Sequence, residues 1–382
     1  MHTHSYPVHI GVLSVVPSPY QRDLFSALAD RDDVQLEVFY QSAESIDNPW
    51  PEATLAPYEH LLPGRRISYG AKRAYVNWDL PDFRSFDLTI LNTSYFSTAA
   101  QWLMRTQLRD QNWVFWGERM RTQPSLWRRV GQRMLTSPLR AADAIAGIGS
   151  LAVSSYREAF PDQQLYNIPY FTDLTDFVDA REQSTAGSVT LLFCGQMIER
   201  KGVDLLLSAF ERLVADGVDV DLRLMGREAD LPDMMHHVGP KAKSRIDVLG
   251  FRPPDELPAL FGEADVFVLP SRHDGWGVVV NEALGAGLPI ICSEAVGAAH
   301  DLVEPDRNGV RVEAGREQPL YEALRRVVMS EELRKRWAEG ARALCANWTL
   351  DAGVDRWMRA VEDLVAGEGR SAAHSTNHLG QE

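Results

Sequence analysis

The chain has 382 residues, of which 45% are hydrophobic and 24% charged, so it is long enough to bury two cores of ordinary size. Its formal net charge is −14 at pH 7. Residues 1–170 carry 16 Lys and Arg against 17 Asp and Glu, and the remainder carries 23 against 36. So strong an acidic surplus in the second half argues against general nucleic-acid binding.

Two further features of the composition predict a cytosolic protein. Cys194, Cys292 and Cys345 form no closely spaced pair, and the first two fall in apolar strands, which favours reduced core residues over metal ligands or disulfides. The first apolar run, residues 8–16, follows a start without Lys or Arg and is interrupted by polar residues, so it is predicted to be a strand and not an export signal. No apolar run approaches the roughly 18 residues that a spanning helix needs.

Short apolar segments alternate with helical segments along the chain, which predicts an α/β fold with parallel sheets. The predicted strands of the first half are VHIGVLSVV, VQLEVFYQ, DLTILNT, WVFWGE, AIAGIGS and LYNIPYF; those of the second half are VTLLFCG, DLRLMG, IDVLGF, DVFVLPS, LPIICSE and GVRVEA. We predict a first domain over residues 1–171, a polar linker over 172–188 and a second domain over 189–366. The last helix is assigned to the second domain, with packing back on the first domain as the alternative. Residues 367–382 are predicted to be a disordered tail.

The first candidate site lies in the strand, loop and helix of residues 188–213. Val203, Leu206, Leu207, Phe210 and Leu213 recur at the spacing of one helix face. Arg200 and Lys201 stand just before this helix, beside Gly202, where free N–H groups of the helix start are expected. Two cations and free N–H groups together suit a diphosphate.

The second candidate site follows the predicted strand of residues 264–271. Asp274 and Glu282 are separated by seven residues, and Gly275 and Gly277 bracket Trp276 between them. A helix starting at this turn offers unpaired N–H groups to an anion. Glu282 lies about one and a half turns inside that helix, where a carboxylate suits a hydroxyl donor such as a ribose.

These two segments resemble the nucleotide-binding half of the family-4 retaining glycosyltransferases, and the resemblance is close over about residues 189–312. It implies that Lys201 holds the donor diphosphate with Arg200 as a second cation, that Asp274 contacts the donor sugar and that Glu282 holds the ribose hydroxyls. The family usually has a basic residue where this chain has Gln196, and Glu where it has Asp274. The nucleotide-binding set on this basis is Gly195, Gly202, Phe251, Gly275, Trp276, Gly277, Val278 and Glu282.

The first half resembles, more weakly, family members that assemble bacterial polysaccharides, through VLSVVPSPYQRDLFSAL and NIPYFTDLTDF. Many relatives have a glycine pair in the first loop, where this chain has Pro17, Ser18, Pro19 and Tyr20. No Gly-x-Gly-x-x-Gly follows the first strand, which disfavours a dehydrogenase. The resemblance implies a GT-B-like architecture, with two facing Rossmann-like domains and the donor site in the cleft between them.

The predicted function is transfer of a hexose, with retention, from a UDP- or GDP-linked sugar to a glycan or lipid-linked acceptor. No cofactor and no metal are required in this interpretation, because Lys201, Arg200 and the N–H groups near Gly275 to Gly277 are placed to stabilise the diphosphate leaving group. Asp219 and Asp221 have the acid-x-acid form of a metal-binding motif, but they alternate with apolar residues at a strand start and are predicted to face solvent. Glu118 is the candidate base from the first domain, with a surface acid as the alternative. A non-hydrolysing sugar-nucleotide epimerase and a non-catalytic nucleotide-sugar-binding module remain as alternative functions.

Residues 119–142 contain six arginines and no acid; the arginines are Arg119, Arg121, Arg128, Arg129, Arg133 and Arg140. Apolar residues fall beside them at near-helical spacing; they are Leu126, Trp127, Val130, Met134 and Leu135. This pattern predicts an amphipathic helix that docks on an anionic membrane surface, so that the protein is peripheral on the inner face of the cell membrane. The alternative is a helix that packs its apolar side into the domain.

Overall fold

The computed structural model describes residues 6–44, 54–69, 72–120, 125–180 and 187–365. The predicted tail, Arg121 and part of the predicted linker lie outside these ranges. The chain divides into two compact units. The first contains the described residues up to Tyr170 together with the last helix, and the second is Phe171–Thr349.

The first unit is built on a parallel sheet of seven strands in the order β3-β2-β1-β6-β7-β8-β9. The described strands of the whole unit are β1 (Val8–Ser14), β2 (Val34–Tyr40), β3 (Glu59–Leu61), β4 (Gly64–Tyr69), β5 (Lys72–Asn77), β6 (Leu88–Asn92), β7 (Trp113–Gly117), β8 (Ala144–Gly147) and β9 (Leu165–Asn167). Every residue of β6, β7 and β8 is buried, as expected for central parallel strands that are covered on both faces. β4 and β5 form a separate antiparallel hairpin.

The described helices of the two units alternate with strands along the chain. They are α1 (Pro19–Ala29), α2 (Thr98–Arg105), α3 (Leu126–Thr136), α4 (Ser150–Ala159), α5 (Thr175–Asp179), α6 (Val203–Ala215), α7 (Leu231–Met235), α8 (Pro240–Lys243), α9 (Leu257–Gly262), α10 (Val279–Gly285), α11 (Ala299–Leu302), α12 (Glu317–Val328), α13 (Glu331–Cys345) and α14 (Leu350–Val365). α14 packs against α1. Its Trp357 meets Trp116 of β7 edge to face, with ring centroids 5.2 Å apart, so the C-terminal helix is part of the first unit's core.

The second unit has a parallel sheet of six strands in the order β12-β11-β10-β13-β14-β15. The strands are β10 (Val189–Cys194), β11 (Val220–Met225), β12 (Ile246–Gly250), β13 (Val266–Leu269), β14 (Ile290–Ser293) and β15 (Gly309–Val312). This is the 3-2-1-4-5-6 order of a doubly wound nucleotide-binding sheet. All five residues that predicted the apolar face of α6 are buried in it.

The structure confirms the α/β fold and its parallel sheets, and all twelve predicted strands are present. The sequence analysis missed β3 and the β4–β5 hairpin. β3 has only three residues, and GRRISY and KRAYVN contain no apolar run, so neither carries the pattern of a buried strand. Within the described ranges, no helix is long and apolar enough to cross a membrane.

Candidate functional site

The candidate site of the second unit lies where the strand order of its sheet reverses. β10 and β13 are neighbours in the sheet although β11 and β12 separate them in sequence, and ligands of open α/β sheets bind at the carboxyl ends of such a strand pair. Lys201 follows β10 and Asp274 follows β13. Their side chains form an ion pair with Nζ 2.5 Å from Oδ2, and they are only 15% and 12% exposed.

Close backbone packing brings the two loops together. Gly202, between a 3-10 turn (Glu199–Lys201) and α6, has φ +74°, and a Cβ at this position would lie 2.2 Å from the carbonyl oxygen of Pro270. Only glycine fits here without strain. Arg272 adds a second connection, because its N–H donates to the Arg200 carbonyl at 2.8 Å and its guanidinium binds the Asp204 carboxylate of α6.

Arg200 does not share the environment of Lys201. Its side chain is exposed, and its Nη1 donates to the carbonyl oxygen of His273 at 2.9 Å. The guanidinium therefore stabilises the loop that leads to Asp274 through this hydrogen bond. Its predicted contact with a diphosphate stays a prediction.

The turn after Asp274 contains three consecutive backbone N–H groups. Gly277 has φ +89°, and α10 begins two residues later, with Val278 as its capping residue. In the part of the chain that the structure describes, the N–H groups of Gly275, Trp276 and Gly277 donate to no protein acceptor. The Trp276 ring is not available to a ligand, because it is buried and its Nε1 donates to Asn281 Oδ1 at 2.9 Å.

The Glu282 carboxylate has an oxygen without a hydrogen-bond donor among the described residues and a raised pKa. Its Oε2 is shielded from solvent and has no hydrogen-bond partner among the described residues. Burial raises the pKa of this side chain from 4.5 to about 7. Burial, and next the nearby Glu282, raise the pKa of the Cys194 thiol at the end of β10. A buried acceptor without a donor is costly, so this position is suited to a ligand that supplies hydroxyl groups.

The other second-unit residues singled out in the sequence lie in three different places. Gly195 has φ +149°, and a Cβ there would lie 4.0 Å from Cε of Lys201, so the lysine side chain passes beside it. Phe251 follows β12 and is exposed. Asp219 and Asp221, considered above as metal ligands, both bind the guanidinium of Arg245, at 2.5 and 2.8 Å.

Glu118 of the first unit lines a cavity of about 480 Å³. The residue is exposed, and its carbonyl oxygen accepts a hydrogen bond from the Tyr156 hydroxyl at 2.8 Å. The sequence analysis missed this cavity. It opens at the carboxyl ends of β1 and β6, again a point where the strand order reverses.

Buried polar side chains form one wall of this cavity. Gln21 Nε2 donates to Asn92 Oδ1 at 2.6 Å, and Gln21 Oε1 accepts from the Ser18 hydroxyl at 2.7 Å. Ser14 and Asn92 are the last residues of β1 and β6. Polar residues that end otherwise apolar strands, as Ser14 and Asn92 do, are the sequence signal that could have identified this second edge.

Residues 119–142 contain the predicted amphipathic helix, as α3. Leu126 is 73% and Trp127 84% exposed, and Val130 and Met134 are exposed on the same face. Leu135 departs from the prediction, because it points inward and packs against the core of the first unit. Arg140 lies beyond α3 in a 3-10 turn, with its guanidinium 5.4 Å from the ring centroid of Phe160.

Comparisons with known proteins agree with this geometry. Residues 176–344 match the family described as "Glycosyl transferases group 1". D-inositol 3-phosphate glycosyltransferase of Geodermatophilus obscurus is 33% identical over 189 residues, which is 47% of this chain and 40% of that protein. The chain thus spans less than half the length of the curated relatives it matches. Residues 176–344 are thus similar to the group 1 glycosyltransferases.

Solved structures match nearly the whole chain. Sucrose-phosphate synthase from Thermosynechococcus elongatus superposes with a TM-score of 0.75 at 20% identity, covering 94% of this chain and 100% of that one. HepE from Anabaena, solved in complex with UDP, has a TM-score of 0.68 at 15% identity, with coverage of 94% and 100%. At these identities the likeness establishes the fold, which is the GT-B fold of glycosyltransferases.

Proposed function

We propose that the protein transfers a hexose from a nucleoside-diphosphate sugar to a glycan or lipid-linked acceptor, with retention, as in the family-4 enzymes. One observation carries the proposal. At the strand-order reversal of a GT-B-type sheet, a cation is paired with an acid. Among the described residues, nearby N–H groups have no protein acceptor and a carboxylate oxygen that is shielded from solvent has no donor. These groups complement the phosphates, the sugar and the ribose of one donor molecule.

Lys201 and the N–H groups of Gly275, Trp276 and Gly277 hold the diphosphate in this proposal. When the bond between the anomeric carbon and the phosphate oxygen breaks, negative charge develops on the leaving group. Fixed positive groups stabilise that charge more in the transition state than in the ground state, which accelerates the reaction. The proposal assigns this task to protein groups, without a metal. Turnover in the presence of a chelator tests that part directly.

Glu282 and Asp274 recognise the rest of the donor. The unpartnered Oε2 of Glu282 accepts hydrogen bonds from the ribose hydroxyls, and Asp274 contacts the sugar. The UDP bound to HepE supports a uridine diphosphate donor, with guanosine diphosphate as the second base to test. Phe251, exposed after β12, is assigned to the nucleotide-binding set.

Retention is proposed to proceed on one face of the sugar. The acceptor oxygen forms the new bond to the anomeric carbon as the phosphate oxygen leaves, and the acceptor proton passes to that leaving oxygen. No dedicated base is needed. Glu118, on the wall of the cavity in the first unit, is the candidate for orienting the acceptor hydroxyl or taking its proton.

A panel of sugar nucleotides tests the proposal. Release of free nucleoside diphosphate, faster with an acceptor than without, supports transfer. An isomerised donor without release would identify an epimerase, and binding without turnover would identify a binding module. The configuration at the anomeric carbon of the product decides between retention and inversion.

The acceptor is proposed to be reached at an anionic membrane surface, through residues 119–142. The apolar face of α3 is turned to solvent, and Arg128, Arg129 and Arg133 are exposed beside it. An amphipathic helix of this kind inserts its apolar side at the lipid boundary while its cations meet the head groups. Replacing these three arginines with Ser should abolish sedimentation with anionic vesicles. Equal binding to neutral vesicles contradicts the proposal.

A further inference from the structure

The first unit separates its positive from its negative residues along the sequence. Residues 64–77, 88–109 and 119–142 contain four, two and six of the sixteen Lys and Arg of residues 1–170, and none of the seventeen Asp and Glu. The first segment contains the paired strands β4 and β5, the second contains α2 and the third contains α3. Twelve cations therefore lie in three segments that contain no acid of their own.

Hydrogen bonds connect the three segments. The Thr98 hydroxyl, at the start of α2, donates to the Tyr75 carbonyl of β5 at 2.8 Å. Gln101 Nε2 donates to the Leu135 carbonyl of α3 at 2.8 Å, and Arg105 Nη2 donates to the Met134 carbonyl at 3.2 Å. α2 thus lies between the hairpin and α3. We call the hairpin, α2 and α3 together the cationic face.

Exposed apolar side chains accompany the cations on each part of this face. Ile67 of β4 is 56% exposed and stands next to the exposed Arg65 and Arg66. On α2, Trp102 is 47% exposed while the residues of the opposite side, Ala99, Ala100, Leu103 and Met104, are buried. A two-stranded hairpin is only marginally stable in water by itself, so a surface to lie against would stabilise it.

We infer that the β4–β5 hairpin and α2 form a second contact with an anionic lipid membrane, beside the contact of residues 119–142. Anionic head groups complement a face that carries cations and no acid, and the exposed Trp102 and Ile67 suit the apolar boundary below the head groups. A free anionic polymer would supply negative charge but no apolar layer for Trp102 and Ile67, so a membrane fits this face better. Contacts on either side of α2 also restrict how the first unit tilts on the membrane. The inference rests on the proposed docking of α3, and separate variants distinguish the two.

Sedimentation of the full chain with vesicles tests the inference. The hairpin variant replaces Arg65, Arg66, Lys72 and Arg73 with Ser. Its control replaces four exposed arginines outside the cationic face with Ser, which are Arg157, Arg336, Arg342 and Arg359. Both variants lose the same charge. Vesicles of phosphatidylcholine alone are compared with an equal mixture of phosphatidylcholine and phosphatidylglycerol.

We expect the hairpin variant to bind anionic vesicles at least about tenfold more weakly than wild type, and the control to lose less than about threefold. Trp102→Ser should weaken binding in high salt as well as low, because apolar insertion is not screened. Unchanged circular dichroism and thermal melting show that each variant is folded.

Equal losses in the hairpin variant and its control would overturn the inference. If only the α3 variant, with Arg128, Arg129 and Arg133 replaced, lost binding, the inference would fail and the proposed docking of residues 119–142 would stand. If only the hairpin variant lost binding, the inference would stand and the proposed docking of residues 119–142 would fail. Wild-type protein that binds neither vesicle, or both equally, would overturn both.

Discussion

Lys201 and Asp274 are the residues whose pairing most restricts the chemistry of the site. Both side chains are largely buried, and their ion pair of 2.5 Å compensates two charges that would be costly to bury alone. In the proposed function, a diphosphate bound here competes with Asp274 for the same ammonium group. Asp274 would then hold the lysine in place before the donor arrives, and its released carboxylate would contact the sugar.

We predict different effects for the two members of this pair. Asp274→Asn should keep or raise the affinity for free nucleoside diphosphate, because the diphosphate then no longer competes with a carboxylate for Lys201, and should impair turnover of the intact donor. Lys201→Met should weaken both diphosphate and donor by about 1.5–3 kcal/mol, the range for a charged hydrogen bond. Calorimetry with the diphosphate and initial rates with the donor separate the two effects.

Lys201→Met also leaves Asp274 buried without its partner, which destabilises the fold. The double variant Lys201→Met with Asp274→Asn removes both charges and is the control for that loss. Equal weakening of free diphosphate by Asp274→Asn and Lys201→Met would show that the division of roles is wrong.

Glu282→Gln tests the ribose contact. The substitution keeps the size of the side chain and, above about pH 7 where the carboxylate is ionised, removes the charged acceptor, so affinity for nucleoside diphosphate should fall there by about 1.5–3 kcal/mol. Calorimetry with the wild-type protein and the variant measures the difference. Unchanged affinity would rule out Glu282 as the ribose anchor.

The raised pKa of Glu282 predicts a pH dependence of stability in the unliganded protein. The folded state holds this proton up to about pH 7, whereas the unfolded chain releases it near the ordinary value of 4.5. Between these values the folded state binds more protons, so its contribution to stability falls as pH rises, by up to about 3 kcal/mol. Glu282→Gln should remove this slope and make the protein more stable than wild type above pH 7. Melting temperatures of both proteins across this range provide the test, and parallel curves would contradict it.

At the scale of elements, the start of α6 determines where Lys201 lies. The chain passes from the 3-10 turn into α6 through Gly202, whose left-handed backbone packs on the Pro270 carbonyl at the end of β13. The site therefore depends on two elements that approach more closely than a side chain would allow.

Gly202→Ala should destabilise the protein and weaken diphosphate binding, because the new methyl group forces the turn and Lys201 away from β13. We expect a loss of stability of at least about 2 kcal/mol. Gly217, after the end of α6, provides the matched control: it has φ +79°, and a methyl group added there would meet no atom within 4 Å. Gly217→Ala should cost about 1 kcal/mol from backbone strain alone and leave binding intact. Denaturant unfolding and calorimetry on both variants make the comparison, and equal effects on binding would contradict it.

At the scale of the whole molecule, we predict that a nucleoside diphosphate stabilises the second unit against unfolding more than the first. The residues proposed to form the donor site, Lys201, Asp274 and Glu282, belong to the second unit, so a nucleoside diphosphate should raise the unfolding temperature of that unit. At one hundred times its dissociation constant it adds about 2.7 kcal/mol, which corresponds to roughly 5–10 °C for a unit of this size. Differential scanning calorimetry with uridine, guanosine and adenosine diphosphates measures the shift and ranks the bases. If none of the three shifted any transition, the assignment of the donor site would be contradicted.

The sequence alone determined the fold class and the main strands, because buried parallel strands such as β10 and β13 are continuous apolar runs that need no tertiary information to recognise. It also indicated Lys201, Asp274 and Glu282, since polar residues after such strands and near a helix start are visible in the chain. The β4–β5 hairpin and the cavity of the first unit were not predicted from it. The hairpin has no apolar run, and the cavity forms from residues that are distant in sequence.

Only the tertiary structure decided how these residues interact. Lys201 and Asp274 are 73 positions apart, and their ion pair exists because β10 and β13 become neighbours in the sheet. The pKa of Glu282 depends on burial by surrounding chain, and the exposure of Trp127 depends on which side of α3 packs against the first unit. Sequence patterns specify local periodicity and residue chemistry, whereas desolvation and pairing arise from contacts between distant segments.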